Sequence, residues 1–165
     1  MLHAPLPRDE KERLCALHGL SLLDTSNEER FDRITREAVA RFSVPISTIT
    51  LVDEGREWYK SVQGLTEKEA PRATSFCGHA LISEVMLVVP DTLLDDRFKD
   101  NPMVLGEPYV RFYAGKSLYD QATGKAVGVF CIKGDTPKTM TVEEIADFLA
   151  FAERAEREIN ATPKA

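Results

Sequence analysis

Cysteine is scarce in this sequence, with three residues in 165, and the three stand far apart at positions 15, 77 and 131. An odd, scattered set offers no disulfide framework and suits reduced thiols in a cytosol. Histidine is equally sparse. His3, His18 and His79 keep no ligand-like spacing from one another or from the cysteines, so no metal is expected. The longest apolar run, Ala126–Ile132, is far short of the ~20 residues that cross a bilayer, and Met1 to Arg13 lacks the apolar stretch of a signal peptide. The expectation is a soluble, cytoplasmic protein with no membrane partner. Basic excess is missing too. Lys and Arg total 21 against 27 Asp and Glu, a net charge of −6, with the two signs interleaved along the chain. That excludes the footprint of a phosphate backbone, and no nucleic-acid partner is expected.

What is present suffices for a core without staples, since 43% of the residues are hydrophobic. The length fits one domain, read as residues 1–165. Asp9–Gly19 reads as a short charged helix with Leu14 and Leu17 on one face, closed by Gly19. Either Thr25-x-x-Glu28 or Ser26-x-x-Glu29 supplies a capping box for a second helix, on which Phe31, Ile34, Ala38 and Phe42 recur at helical spacing before Pro45. Ile46–Asp53 and Glu57–Gln63 read as an antiparallel hairpin. Thr74 or Ser75 caps a short helix over Phe76–Ser83, Met86–Val89 is a short strand, and Asp91 to Pro108 is a long polar excursion with room for one or two helical turns. Val110–Tyr119 and Lys125–Ile132 form a second hairpin with Thr123-Gly124 near its turn. Thr141-x-x-Glu144 is a further capping box. It opens a last helix with Ile145, Phe148, Leu149, Ala152 and Ile159 on one stripe, and Thr162–Ala165 is a polar tail. The order predicts an α+β fold, an antiparallel sheet with helices packed against it.

A series of short strings carries a resemblance. Leu22-Leu23-Asp24-Thr25, Glu28, Phe31-Asp32 and Val44-Pro45-Ile46 lead to Leu51-Val52-Asp53 and Arg56-Glu57-Trp58-Tyr59-Lys60-Ser61. Pro71-Arg72 and Ser75-Phe76-Cys77-Gly78-His79-Ala80 come next, then Asp91, Asp96-Arg97-Phe98, Asn101-Pro102, Val104, Arg111-Phe112-Tyr113-Ala114-Gly115, Leu118 and Gly128-Val129-Phe130-Cys131-Ile132. Each string is short, but in this shared order they resemble bacterial GAF domains from about Arg8 to Ile159. The resemblance implies a GAF-like, profilin-like fold. A central antiparallel β-sheet would carry the first, second and last helices on one face, and short helices and loops between Gly64 and Pro108 on the other. It implies a small-molecule ligand held under that second cover. It also implies output modules of the histidine kinase or cyclic-di-GMP synthase kind. It names a fold rather than a reaction.

The candidate ligand-binding residues are Phe76, Cys77, His79, Asp91, Arg97, Arg111, Phe112 and Tyr113. Cys77 and His79 have the residue types of an activated thiolate, but positions i and i+2 on a helix point to different faces. No catalytic residue is assigned on that ground. Relatives that attach bilin covalently place His directly after the Cys, whereas Gly78 intervenes here, so no covalent chromophore is expected. Asn101-Pro102 likewise departs from the cyclic-nucleotide signature of the family. Asp91, Asp95, Asp96 and Arg97 read as Asx turns with a local Asp–Arg pair, against an acid–base or cation site. Trp58, Tyr59, Phe112 and Tyr113 sit on strands, where alternation turns one of each pair to the helices and the other to the ligand side. Lys60 and Arg111 lie mid-strand, with long stems reaching solvent as the plain reading. The functional reading of Arg111 is that it binds an anionic ligand group or pairs with Asp91.

Three functions compete. The expectation is a non-catalytic, small-molecule-sensing regulatory domain. It would homodimerise through its terminal helices, with Ala146, Ala150, Ala152 and Ala155 permitting close approach. The second is a thiol-dependent free methionine sulfoxide reductase of the GAF type, which needs several cysteines in one pocket. Only Cys77 is well placed for it, because Cys15 is on the first helix and Cys131 inside a buried-looking strand. The third is a purely structural dimerisation domain with a closed pocket.

Overall fold

The computed structural model describes residues 1–161, and the expected tail at 162–165 lies outside them. Two helices, α1 (Glu10–Gly19) and α2 (Glu29–Phe42), precede the sheet. The hairpin of β1 (Ile46–Val52) and β2 (Arg56–Gln63) follows, then a three-residue edge strand, β3 (Glu69–Pro71). A 3-10 turn, Arg72–Thr74, leads into α3 (Phe76–Leu81), and β4 (Leu87–Val89) comes next. The polar excursion holds a second 3-10 turn, Thr92–Leu94, and a single turn of helix, α4 (Pro102–Leu105). The long hairpin of β5 (Phe112–Asp120) and β6 (Lys125–Gly134) then leads to α5 (Val142–Ala161). The strands form one antiparallel sheet in the order β3-β2-β1-β6-β5-β4.

Every residue of β1 is buried, as expected of a central strand covered on both faces. Alternation then sorts its side chains. Ile49 and Leu51 join Trp58, Phe112, Phe130 and Ile132 under α2 and α5, where Phe31, Ile34, Phe42, Phe148 and Ile159 pack. Val52, Tyr113, Val129 and Cys131 face the other way, under Phe76, Cys77, Ala80 and Leu81 of α3 and Phe98 and Val104 of the excursion. The α+β, two-faced architecture is therefore the one the resemblance implied.

Local differences have local causes. Neither predicted capping box forms on α2, whose N-cap is Glu28 with no side-chain cap bond. Glu29 is paired with Arg36, and the Thr25 and Glu28 side chains are committed to the Lys60 ammonium, which is buried rather than reaching solvent. It donates to Thr25 Oγ1 at 2.8 Å and Ser26 O at 2.7 Å, and pairs with Glu28 at 2.7 Å. Satisfying a buried charge outweighs satisfying one helix end. Ser75 caps α3 by accepting from Gly78 N at 3.0 Å. The box at α5 does form, with reciprocal Thr141 and Glu144 bonds of 3.1 Å. Strand β3 is too short to show a period in sequence, and only its pairing with β2 defines it.

One glycine in β6 sets how closely two central strands approach. Gly128 pairs with Leu51, and a Cβ there would collide with the Thr50 carbonyl. Gly19, at the end of α1, has open space around it. Gly128→Ala should therefore lower the unfolding free energy by about 1–3 kcal/mol in urea titrations. Gly19→Ala should leave it unchanged or raise it by up to about 1 kcal/mol.

Candidate functional site

On the face covered by α3, the alternation of β6 sets Cys131 and Lys133 side by side, and Lys133 is paired across the ladder with Tyr113 of β5. Gly115 follows two residues after Tyr113. A Cβ there would strike the Tyr113 ring, so the missing side chain is what lets that ring lie along its own strand. From there Tyr113 OH donates to Cys77 Sγ at 3.3 Å. Phe76 of α3 is stacked between Tyr113 at 5.0 Å and Phe98 at 4.4 Å, measured between ring centroids.

A polar network runs beneath these rings. Glu57, buried on β2, accepts from Tyr59 OH at 2.8 Å and from the Ser75 hydroxyl, which itself caps α3. Thr48 and Thr50 share a 2.6 Å bond on β1. Thr48 also reaches Cys131 Sγ at 3.0 Å, and Cys77 donates to Thr50 Oγ1 at 3.9 Å. Cys77 and Cys131 thus converge on one threonine pair, and each weighs on the other's ionisation, which corrects the expectation that Cys131 is out of Cys77's reach. The physical reason is strand parity: Cys131 points to the α3 side because Phe130 and Ile132 point to the helices. Lys133 Nζ is buried with no hydrogen-bond partner among the described residues, 5.8 Å from the Phe76 ring centroid. Burial pushes its pKa down, but Cys131 and Glu57 beside it outweigh that and hold it raised.

The eight candidate residues do not converge on one pocket. Phe76, Cys77 and Tyr113 meet, but as packed core. Phe112 lies on the opposite face among α2 and α5 residues, so its assignment to the ligand side is corrected by the same parity. His79 Nε2 is 3.0 Å from Leu2 O and its ring stands edge-on to Phe98, while burial lowers its pKa. Arg97 forks onto Asp95 with bonds of 3.0 and 2.7 Å and lies over the Phe98 ring. Asp91 caps its 3-10 turn through Leu93 N at 3.1 Å and pairs with Arg111 Nη2 at 3.0 Å, while Arg111 Nε is buried without a partner among the described residues. Among the described residues, no group of three or more His, Cys, Asp or Glu is gathered as a metal site. Sequence reading missed Glu57, Tyr59, Ser75, Cys131 and Lys133 as a set. The available signal was the polar parity of β6, in which Cys131 and Lys133 alternate with Phe130 and Ile132.

Open space on this face lies toward the sheet edge. A cavity of about 200 Å³ is bounded by Tyr59, Thr74, Met103 and Pro108, with Glu67, Glu69 and Glu107 also lining it. The cover is tied to the opposite layer by ions. Arg13, buried on α1, forks onto Glu10 at 2.8 and 3.0 Å. Arg72, in the turn before α3, also binds Glu10, and donates to Asp53 O at 3.1 Å. Burial opposes ionisation of Glu10, yet the two guanidinium groups bring its pKa from 4.5 to about 2.

The sequence model of the GAF domain family matches residues 26–159. Over 138 residues, 84% of this chain, the sequence is 38% identical to a cyclic di-GMP phosphodiesterase of Pseudomonas aeruginosa. The matched part is 23% of that relative's length. Among solved structures, the GAF domain of a phosphoenolpyruvate-protein phosphotransferase from Coxiella burnetii superposes with a TM-score of 0.68 at 18% identity, covering 92% of this chain and 94% of that one. A free methionine-R-sulfoxide reductase from Neisseria meningitidis, solved with its substrate, gives 0.63 at 17% identity, covering 98% and 96%. At such identities the likeness shows the fold alone.

Two expected outcomes follow from the buried charges. Glu57→Ala strands the Tyr59 and Ser75 hydroxyls in the interior and should cost at least about 2 kcal/mol in urea titrations, with Glu57→Gln recovering part of it. Glu10, depressed in the folded state, adds stability that is full above its unfolded pKa of 4.5 and is lost as pH falls toward 2. Stability measured across that window should fall less steeply in Glu10→Gln than in the unaltered chain.

Proposed function

The chain belongs to the GAF domain family, and on that premise we propose that it is a non-catalytic regulatory domain, residues 1–165, that senses a small molecule and passes the signal to an output module. The observation that carries this reading is the shared carboxylate of Glu10. It binds Arg13 on its own helix and Arg72 in the cover, so a shift of the cover is felt directly by α1. The structural element that a linked module would engage is a terminal helix, and α1 is one.

The ligand belongs in the cavity over Tyr59 rather than on Arg111, which Asp91 already engages. About 200 Å³ is less than the ~300–1,000 Å³ of a drug-sized site, so a metabolite of modest size fits. Glu67 and Glu107 set a negative potential at that cavity, Glu69 being paired with Arg56, and favour a neutral or cationic molecule. The cyclic di-GMP phosphodiesterase relative supports an output of the cyclic-dinucleotide kind. Free thiols support a cytoplasmic setting, and no helix among the described residues is long and apolar enough to cross a membrane.

A homodimer is part of the same proposal. Of the four alanines that favoured it, Ala152 and Ala155 are buried in the chain's own core. Ala146 and Ala150 remain exposed on one side of α5 and are the surface through which a second copy would dock. A second reading, reduction of free methionine sulfoxide, is favoured by the contact of Cys77 with Cys131. Both thiols are fully buried beneath α3, out of reach of a substrate of that size.

Native mass spectrometry of freshly purified protein should show a retained small molecule that Met103→Trp excludes. Equal retention by both proteins, or none by either, would leave the structural module as the better reading. Light scattering should give twice the 18.5 kDa of one chain, and Ala150→Glu should return it to monomer. Methionine sulfoxide turnover with thiol reductant should stay at background.

A further inference from the structure

Four side chains form a continuous polar chain at the heart of the covered face. Cys77 faces Thr50, Thr50 bonds Thr48, and Thr48 bonds Cys131, so the two sulfurs are gathered at one threonine pair. Three of these residues sit on adjacent strands β1 and β6, and Cys77 alone belongs to the cover. All four are buried. Beside them, two positions along β6, stands the Lys133 ammonium, buried and without a hydrogen-bond partner among the described residues. By strand parity it shares the face of Cys131, and its Nζ lies 5.8 Å from the ring centroid of Phe76, the residue before Cys77. Neither the fold nor the proposed ligand cavity requires a lone cation at this point, and a methionine would fill the space more cheaply.

We propose that Cys77 and Cys131 form a dithiol that a small hydroperoxide oxidises to a disulfide, with Lys133 as the positioning residue that favours the Cys131 thiolate. Lys133 shares the α3-side face of β6 with Cys131, two residues along the strand, and the Thr48 hydroxyl lies 3.0 Å from the Cys131 sulfur. Burial pushes the Cys131 thiol up, but Cys77, the Lys133 charge and the Thr48 hydroxyl outweigh it and lower it. Because the cation shares its strand face and the Thr48 hydroxyl touches its sulfur, Cys131 is the nucleophile and Cys77 the resolving thiol.

The chemistry balances without a further reagent. The Cys131 thiolate attacks one peroxide oxygen, the O–O bond breaks, and hydroxide leaves and takes a proton to become water. Cys131 is then a sulfenic acid. The Cys77 sulfur attacks the Cys131 sulfur, the S–O bond breaks, and the second water departs with the Cys77 proton. Two thiols and one hydrogen peroxide become one disulfide and two waters. Hydrogen peroxide is small enough to follow a route closed to larger substrates. Tyr59 lines the 200 Å³ cavity and pairs across the ladder with Thr50, the residue that faces Cys77. The product would stitch α3 to β6 and hold the cover shut.

The test uses the full chain in a Cys15→Ala background, which removes the exposed thiol. After hydrogen peroxide treatment, the protein is denatured, alkylated with N-ethylmaleimide and weighed intact. The two labels of the reduced protein should fall to none, with a loss of 2 Da and a Cys77–Cys131 linked peptide after digestion. Cys77→Ser should halt at a 16 Da gain on Cys131. Lys133→Met should slow disulfide formation about tenfold or more at neutral pH, and the difference should shrink as pH rises and the thiolate forms unaided. Because Lys133→Met risks misfolding, Thr48→Val, which removes a neutral bond to the same sulfur, should slow it only slightly. Two labels persisting after peroxide, direct passage of Cys131 to a sulfinic acid, or equal rates with and without Lys133 would overturn the proposal. None of these outcomes depends on whether a metabolite occupies the cavity, so the sensing proposal stands or falls separately.

Discussion

Burial of the sheet on both faces is the constraint on which this structure rests. With β1 wholly buried at the centre of the sheet, none of its side chains reaches solvent, and each buried polar group beside it needs an internal partner. On the helix face that requirement is light, because Phe31, Phe42, Phe130 and Phe148 fill the space and the Lys60 ammonium is led to the N-terminal end of α2. On the α3 face it is severe. Glu57, Tyr59, Ser75, Cys77, Tyr113, Cys131 and Lys133 are all inside, and their mutual bonds set where α3 can start and how close it can lie. The Ser75 hydroxyl is the junction. It caps α3 on one side and donates to Glu57 on the other.

The two layers differ in how they can respond. The helix layer is long and apolar, with ring contacts linking α2, α5 and β6. The α3 layer is short, held by polar bonds and a three-ring stack, and ends beside a cavity. Short elements held by few apolar contacts open at lower free energy than long packed helices. Opening therefore belongs to the α3 layer rather than to the helix layer. Glu10 joins the two, since its carboxylate is shared by Arg13 and Arg72. Such a link transmits only if the cover has two arrangements that a ligand or a modification distinguishes.

Much of the fold was legible in the residues. Helical spacing on α2 and α5, β-branched runs in β1, the two hairpins and the Thr141–Glu144 box all correspond to observed elements, because each rests on interactions a few residues apart. The resemblance to GAF domains added the two-faced sheet, and the order of strings that carried it is borne out by the family match over residues 26–159. The capping boxes on α2 misled for a physical reason. Thr25 and Glu28 are good helix-starting residues, but a lysine on β2, 35 and 32 positions later, made a stronger claim on their side chains.

By itself the sequence determined the element order, the apolar faces of the long helices, the sheet and the family, since all of these are written in local period and shared strings. It also determined the net negative charge and the small stock of thiols. Only the tertiary structure decided which polar residues meet. Cys77 and Cys131 are 54 positions apart and on different elements, and their contact depends on a helix lying over one particular strand with one particular parity. Phe112 and Tyr113 are neighbours in sequence and strangers in space for the same reason. A one-residue choice of side on a strand sends a side chain to one core or the other, and no property of the isolated residue states that choice.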